Sequence, residues 1–159
     1  MNTQIATIPK KVSGGNELIV VRKKDFQIFE KWHAQINDAL AKVKRGREEY
    51  NRKKTVIALS TRKFRWFIND IMDQIKYVHY TSDFRRAYKK LPRKIQDITD
   101  RKDKLFRQQS FHPSLHTHKL HGPLKELWSF WITRDYRVLF EFLKDGVIFY
   151  DIGTHDIYR

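Results

Sequence analysis

The feature that most constrains this chain is a run of three strand-like segments in its last third. Leu127–Thr133 (LWSFWIT) is aromatic and β-branched, and Arg134-Asp135 marks a turn after it. Arg137–Leu143 (RVLFEFL) follows, then Lys144-Asp145-Gly146, then Val147–Ile152 (VIFYDI). Two apolar runs joined by a short Lys-Asp-Gly predict a β-hairpin, with Gly146 supplying the positive φ of a tight turn. Three consecutive strands with short links predict an antiparallel meander. At alternating spacing Trp128 and Phe130 share one face, which is read as core.

Two helices are expected ahead of the meander. Ile75–Tyr80 (IKYVHY) alternates as a strand does, and Ser82 and Asp83 suit the N-cap of a helix through Leu91. Pro92 ends that helix and begins a second one through about Gln109. Phe84, Ala87, Tyr88 and Leu91 fall on one face of the first; Ile95, Ile98 and Leu105 extend an apolar face on the second. The expected fold is α+β: a small antiparallel sheet with a helical hairpin on one side, in the order β-α-α-β-β-β.

The first half has a different texture. Ile5–Pro9 and Glu17–Val21 flank a Ser-Gly-Gly-Asn turn signal and predict a hairpin or a paired strand. Lys24–Asn37 places Phe26, Phe29, Trp32 and Ile36 on one helical face, read as core or dimer interface. The helical pattern continues over Asp38–Tyr50 around Gly46, where Lys42, Lys44, Arg45 and Arg47 form either a solvated face or phosphate contacts. Lys53–Ser60 reads as a short strand. Phe64–Gln74 is aromatic and apolar, unlike a flexible linker.

The net charge is +15 over 159 residues, a field that favours polyanions, nucleic acid above all. There is no cysteine, so no disulfide framework or thiolate metal site, which fits a reducing compartment. No apolar run approaches the ~20 residues that a bilayer requires. The first residues lack the basic-then-apolar order of a secretion signal. A cytoplasmic protein with no membrane contact is expected.

Metal-free RNA cleavage needs a base for the 2′-hydroxyl, a cation for the pentacoordinate phosphate and an acid for the departing oxygen. Histidine and arginine fit those roles. Arg137 opens one strand, His155 follows the last one, and His118 lies before the first. Arg134, Lys119 and Lys125 are candidate RNA-binding residues that position phosphates. His112, His116, His118 and His121 cluster without a carboxylate or cysteine among them, so no metal and no other cofactor is expected.

The helix Asp83–Leu91 (DFRRAYKKL), the loop FHPSLHTHKLHGPLKELWSF, the run DYRVLFEF and the closing DIGTHDIY together resemble the RelE/ParE superfamily of bacterial toxins, most closely its RelE/YafQ-like mRNA interferases. The resemblance covers about Met72 to Arg159. It implies a ribosome-dependent endoribonuclease acting on mRNA, with Arg137 in catalysis, His155 at the scissile phosphate, His118 as the loop histidine and Tyr158 as the aromatic that positions a base. The first half, with IPKK, ELIVVRKKDF, a helix, KRGREEYNRKKT and a strand, resembles RelB-like antitoxins, and ELIVVRKKDFQIFEKW is similar to Phd/YefM antitoxins. That implies dimerisation, operator DNA binding and a segment that adds a strand to the toxin. The expected organisation is an antitoxin-like segment, 1–71, fused to a RelE-like toxin domain, 72–159, meeting within one chain or across a homodimer. The alternatives are a ParE-like gyrase inhibitor, a non-enzymatic DNA-binding autorepressor, and a single domain whose first half completes the core.

Overall fold

In the computed structural model, residues 6–8, 11, 12, 14, 16, 18–59, 75, 77–144 and 146–154 are described. Two compact units emerge, residues 1–35 and 36–159, the division falling within one long helix. In the first unit, β1 (Ala6–Ile8) and β2 (Leu18–Val20) pair antiparallel, Ala6 opposite Val20. Gly14, at φ +66°, takes the left-handed turn conformation that glycine tolerates best. The helix α1 (Lys23–Asn51) begins here, with Asp25 in its first turn held by Arg22 at 2.7 Å. Phe26 and Phe29 are about half exposed, so the face they open is not core within this unit.

In the second unit the remainder of α1 buries Ile36, Ala39, Val43 and Gly46, one stripe at helical spacing. Lys53, at φ 55°, closes the helix, and Lys54 N–H donates to the Glu49 carbonyl at 2.8 Å. Next come β3 (Val56–Leu59), β4 (Tyr77–Tyr80), α2 (Ser82–Lys90) and α3 (Arg93–Gln108). The strands β5 (His118–Lys119), β6 (Trp128–Trp131), β7 (Tyr136–Phe142) and β8 (Gly146–Thr154) complete a six-stranded sheet in the order β3-β4-β8-β7-β6-β5. The α+β class and the meander β6-β7-β8 are as expected. One pairing differs from an all-antiparallel sheet: β4 runs parallel to β8, Tyr77 opposite Gly146. The helical hairpin and the strands β5, β6 and β7 all lie between them in the chain and make the long connection that a parallel pair needs.

Two local expectations change. Gly146 does not have a positive φ; a Cβ there would lie 2.3 Å from the Tyr77 carbonyl oxygen, so close approach of β4 is what requires glycine. The N-cap of α2 is Thr81, whose Oγ1 accepts from Phe84 N–H at 3.1 Å. Ser82 and Asp83 are instead occupied by side chains of α1, as described below.

α2 and α3 cover one face of the sheet. Phe106 of α3 is fully buried, stacked on Phe130 at 4.4 Å and edge-on to Phe140 at 4.9 Å. Val138, Val147, Phe149 and Ile152 complete this core with Phe84. Such aromatic pairs add about 0.5–1.5 kcal/mol each beyond the area they bury. Alternation along β7 therefore sends Val138, Phe140 and Phe142 toward the helices, and Arg137, Leu139 and Glu141 to the opposite face.

Candidate active site on the second sheet face

The site is built on a hairpin. Thr133 Oγ1 accepts from the backbone N–H groups of Asp135 (3.2 Å) and Tyr136 (3.1 Å), a side-chain substitute for a backbone turn that sets the register of β6 on β7. Trp131 is thereby placed opposite Arg137, and Arg137 opposite Gly153 of β8. Arg137 is 9% exposed, its guanidinium carbon 4.8 Å from the centre of the Trp131 ring. A desolvated cation over an indole is worth about 2 kcal/mol, and it holds the planar fork in a fixed place.

The ring of His116 lies on the same indole at 4.2 Å. It gets there because the 3₁₀ turn Pro113–Leu115 ends with His116 in the left-handed conformation, φ 47°. His118 pairs with Ser129, so strand alternation puts it on the Arg137 face. Its Nδ1–H donates to the His116 carbonyl oxygen at 2.7 Å, since a carbonyl only accepts. Of the two neutral tautomers that bond selects the one protonated on Nδ1, which carries its lone pair on Nε2.

The other expected residues distribute differently. Lys119 pairs with Trp128, whose ring packs against the helix-covered core, so it faces away from Arg137. Arg134 is exposed at the hairpin tip and Lys125 is exposed after the turn Gly122–Leu124. His155 and Tyr158 lie outside the described residues; Thr154, which precedes His155, pairs with Tyr136, the neighbour of Arg137. Among the described residues no group of three metal-ligating side chains is assembled.

The second half of α1 lies on this same face, joined by ion pairs. Lys42 Nζ is 2.5 Å from Asp151 Oδ2 and 2.9 Å from Asp38; Arg47 meets Glu141 at 3.0 Å; Arg45 meets Asp83 at 2.9 Å. Glu49 accepts from the Ser82 N–H at 2.7 Å and from its hydroxyl. Of the four basic residues expected to form a solvated face or phosphate contacts, Lys42, Arg45 and Arg47 are ion-paired, while Lys44, Arg45 and Arg47 stay exposed to solvent. Burial pushes the Asp151 carboxyl up, with Lys42 pulling against it; burial works to lower the Lys42 ammonium, but Asp151 and Asp38 together outweigh it and hold it above its ordinary value. Burial also works to raise Asp83, but Arg45 and Arg86 outweigh it and hold that carboxyl below its ordinary value.

The ion pairs fix how far along the strands α1 extends. Lys42 to Arg47 is five helical residues, about 7.5 Å of rise. Leu139, the partner of Asp151, to Glu141 is two strand residues, about 6.7 Å.

Sequence reasoning did not single out His116 or Trp131 for this site. Trp131 is one of several aromatics in β6, and only the register of the hairpin distinguishes it. His116 depends on a single left-handed residue. Its one signal in the sequence is the preceding Pro113-Ser114-Leu115 turn.

A family profile described as bacterial toxin of type II toxin-antitoxin system, YafQ, matches residues 75–158. No curated protein matches the chain. Among solved structures, a YoeB/ParE toxin from Agrobacterium tumefaciens aligns at 13% identity and TM-score 0.43, covering 49% of this chain and 96% of that one. The E. coli DinJ-YafQ toxin-antitoxin complex aligns at 15% identity and TM-score 0.44, over 52% and 93% of the two chains. The toxin-antitoxin complex RelBE2 from Mycobacterium tuberculosis aligns at 18% identity and TM-score 0.42, over 49% and 95%.

Proposed function

Since this chain belongs to the YafQ family of bacterial type II toxin-antitoxin toxins, we propose that its second half is a metal-independent endoribonuclease that cuts mRNA at the ribosome. We take the segment before it to be an antitoxin-like cover carried in the same chain. The observation that carries the nuclease reading is the row Trp131–Arg137–Gly153 with His116 on the indole and His118 on the same face. Arg137 offers its fork to the phosphate that becomes five-coordinate. His118, with Nε2 unprotonated, takes the 2′-hydroxyl proton. His155 returns a proton to the departing 5′-oxygen, and Tyr158 stacks on a base. Arg134 extends the phosphate track at the hairpin tip and Lys125 adds charge beyond it, while Lys119, on the opposite face, is left out of the track.

Two features support the cover. β3 adds to the open edge of β4, Val56 opposite Tyr80, in the manner of a strand-donating partner. The second half of α1 lies across the Arg137 face, tied down by Lys42, Arg45 and Arg47. A tethered cover acts at high effective concentration, so the intact chain is expected to be latent. Operator DNA is assigned to the first half, and homodimer contact to its exposed Phe26 and Phe29.

Induction of the full chain, of residues 72–159, and of 72–159 carrying Arg137→Ala in a bacterial host tests both readings. The expected result is growth arrest with cut, translated mRNA from the short form only, abolished by the substitution. Arrest with intact mRNA points to a bound target such as gyrase and refutes the nuclease. A soluble short form that arrests nothing leaves the DNA-binding autorepressor.

A further inference from the structure

On the face of the sheet away from Arg137, a cavity of about 310 Å³ opens between α2, α3 and β4. Three aromatic side chains line it: Tyr80, Phe84 and Tyr88, consecutive rings stacked at 5.2 and 6.4 Å. Thr99, Asp100 and Asp103 enter from α3, Asp103 already engaged by the Tyr80 hydroxyl and Arg107, and Arg85 and Lys89, one helical turn apart on α2, stand at its mouth. The volume is at the small end of ligand pockets (~300–1,000 Å³), enough for a planar ring system rather than an extended molecule.

The chemistry of the lining narrows the occupant. An aromatic wall favours a flat π-system, as stacking platforms for bases do. A carboxylate accepts hydrogen bonds and donates none. Asp100 Oδ1 takes the Tyr88 hydroxyl at 2.6 Å, which pins both groups, while Oδ2 accepts from no described residue. The carboxylate therefore selects a ring edge made of donors, and the Watson–Crick edge of guanine presents N1–H beside the 2-amino group. Arg85 and Lys89 are exposed and form no ion pair among the described residues, so the mouth carries positive charge for a phosphate. The pairing of an apolar ring pocket with cations outside it is that of a nucleotide site. We infer that this cavity binds a guanine nucleotide, base against Tyr88 and Asp100, phosphate against Arg85 and Lys89. The shared chemistry has two sources, a free guanosine phosphate or a guanine within an RNA strand. The inference does not rest on the nuclease reading.

Calorimetric titration of the full chain tests it with guanosine 5′-monophosphate, inosine 5′-monophosphate, guanosine, inorganic phosphate and a short oligoribonucleotide holding one guanine. Guanosine 5′-monophosphate is expected to saturate, and to bind about tenfold more tightly than inosine 5′-monophosphate, which lacks the 2-amino donor. Asp100→Asn, an exposed change that leaves the fold intact, should remove that preference. Arg85→Ala with Lys89→Ala should bring guanosine 5′-monophosphate down to the affinity of guanosine. Arg137→Ala, on the other face, should change neither. An oligoribonucleotide that binds more tightly, still sensitive to Asp100→Asn, assigns the site to RNA; equal affinity assigns it to the free nucleotide. Absence of saturable binding, equal binding of inosine 5′-monophosphate, or inorganic phosphate binding as well as the nucleotide overturns the inference.

Discussion

Replacing Lys42 with methionine removes the cation from a carboxylate that has little other relief. Asp151 is 1% exposed on its side chain, and its Oδ1 has no hydrogen-bond partner among the described residues. Removing one partner of such a pair typically costs ~3–5 kcal/mol. Lys42 retains some solvent exposure, which places the expectation near the bottom of that range, about 3 kcal/mol at pH 7. Protonating Asp151 is the chain's escape, and from an ordinary value near 3.9 that costs about 4 kcal/mol at pH 7 and about 1.5 kcal/mol at pH 5. A carboxyl whose folded-state pKa is raised contributes stability at low pH and loses it as pH rises. The deficit of Lys42→Met should therefore shrink by roughly 1–2 kcal/mol between pH 7 and pH 5, within the limit those two costs set. Urea unfolding of both chains at the two pH values measures this as a shift in midpoint at constant slope. Lys42→Met combined with Asp151→Leu, which removes both charges, should recover most of the loss. A deficit under about 1 kcal/mol at pH 7, or one that does not change with pH, refutes the argument that Lys42 neutralises a buried charge.

Two further outcomes follow from side-chain packing and titration. Gly46→Ala, ordinarily stabilising in mid-helix by about 1 kcal/mol, should lower the melting temperature, because the added Cβ would lie 2.6 Å from the Tyr150 ring and 2.7 Å from Thr81. A higher melting temperature would mean that α1 can move off the sheet at little cost. On the alkaline side, burial and then Glu141 raise the Tyr150 phenol above its ordinary value, burial and then Asp103 do the same for Tyr80, and Tyr88 is pushed up to about 12. These groups, with Lys42, stabilise the fold below pH 10 and withdraw that support as pH rises. Absorbance at 295 nm should then show three of the seven tyrosines ionising late, together with loss of structure. Smooth titration of all seven near pH 10 contradicts it.

The strands of the meander and both helices of the hairpin were legible because their signals are local: alternating aromatics in Trp128–Trp131, and Pro92 between two amphipathic runs. The parallel insertion of β8 beside β4 was not. Long-range pairing leaves no mark on either strand beyond a glycine, and Gly146 was read as a turn residue when its cause is the Tyr77 backbone opposite. The charged face of α1 was also opaque. Lys42, Arg45 and Arg47 look like a solvated stripe until the acids they meet, Asp151, Asp83 and Glu141, are brought in from far along the chain. At the site, Arg137 and His118 stand out by type and place. The indole that joins Arg137 to His116 is fixed only by hairpin register, which Thr133 sets through its side chain.

The position of β8 has a bearing on how this protein comes into being. β8 is an interior strand, flanked by β4 and β7, yet it is made after all its neighbours. Until Gly146–Thr154 leaves the ribosome, β4 and β7 have nothing to join them, and Arg137 has no Gly153 beside it. α1 ends at Asn51, so at ~5–20 residues per second it precedes β8 by roughly 5–20 s. The helix that lies over the Arg137 face is thus waiting before that face exists. In the growing chain α1 is therefore made in full before the sheet it packs on can close.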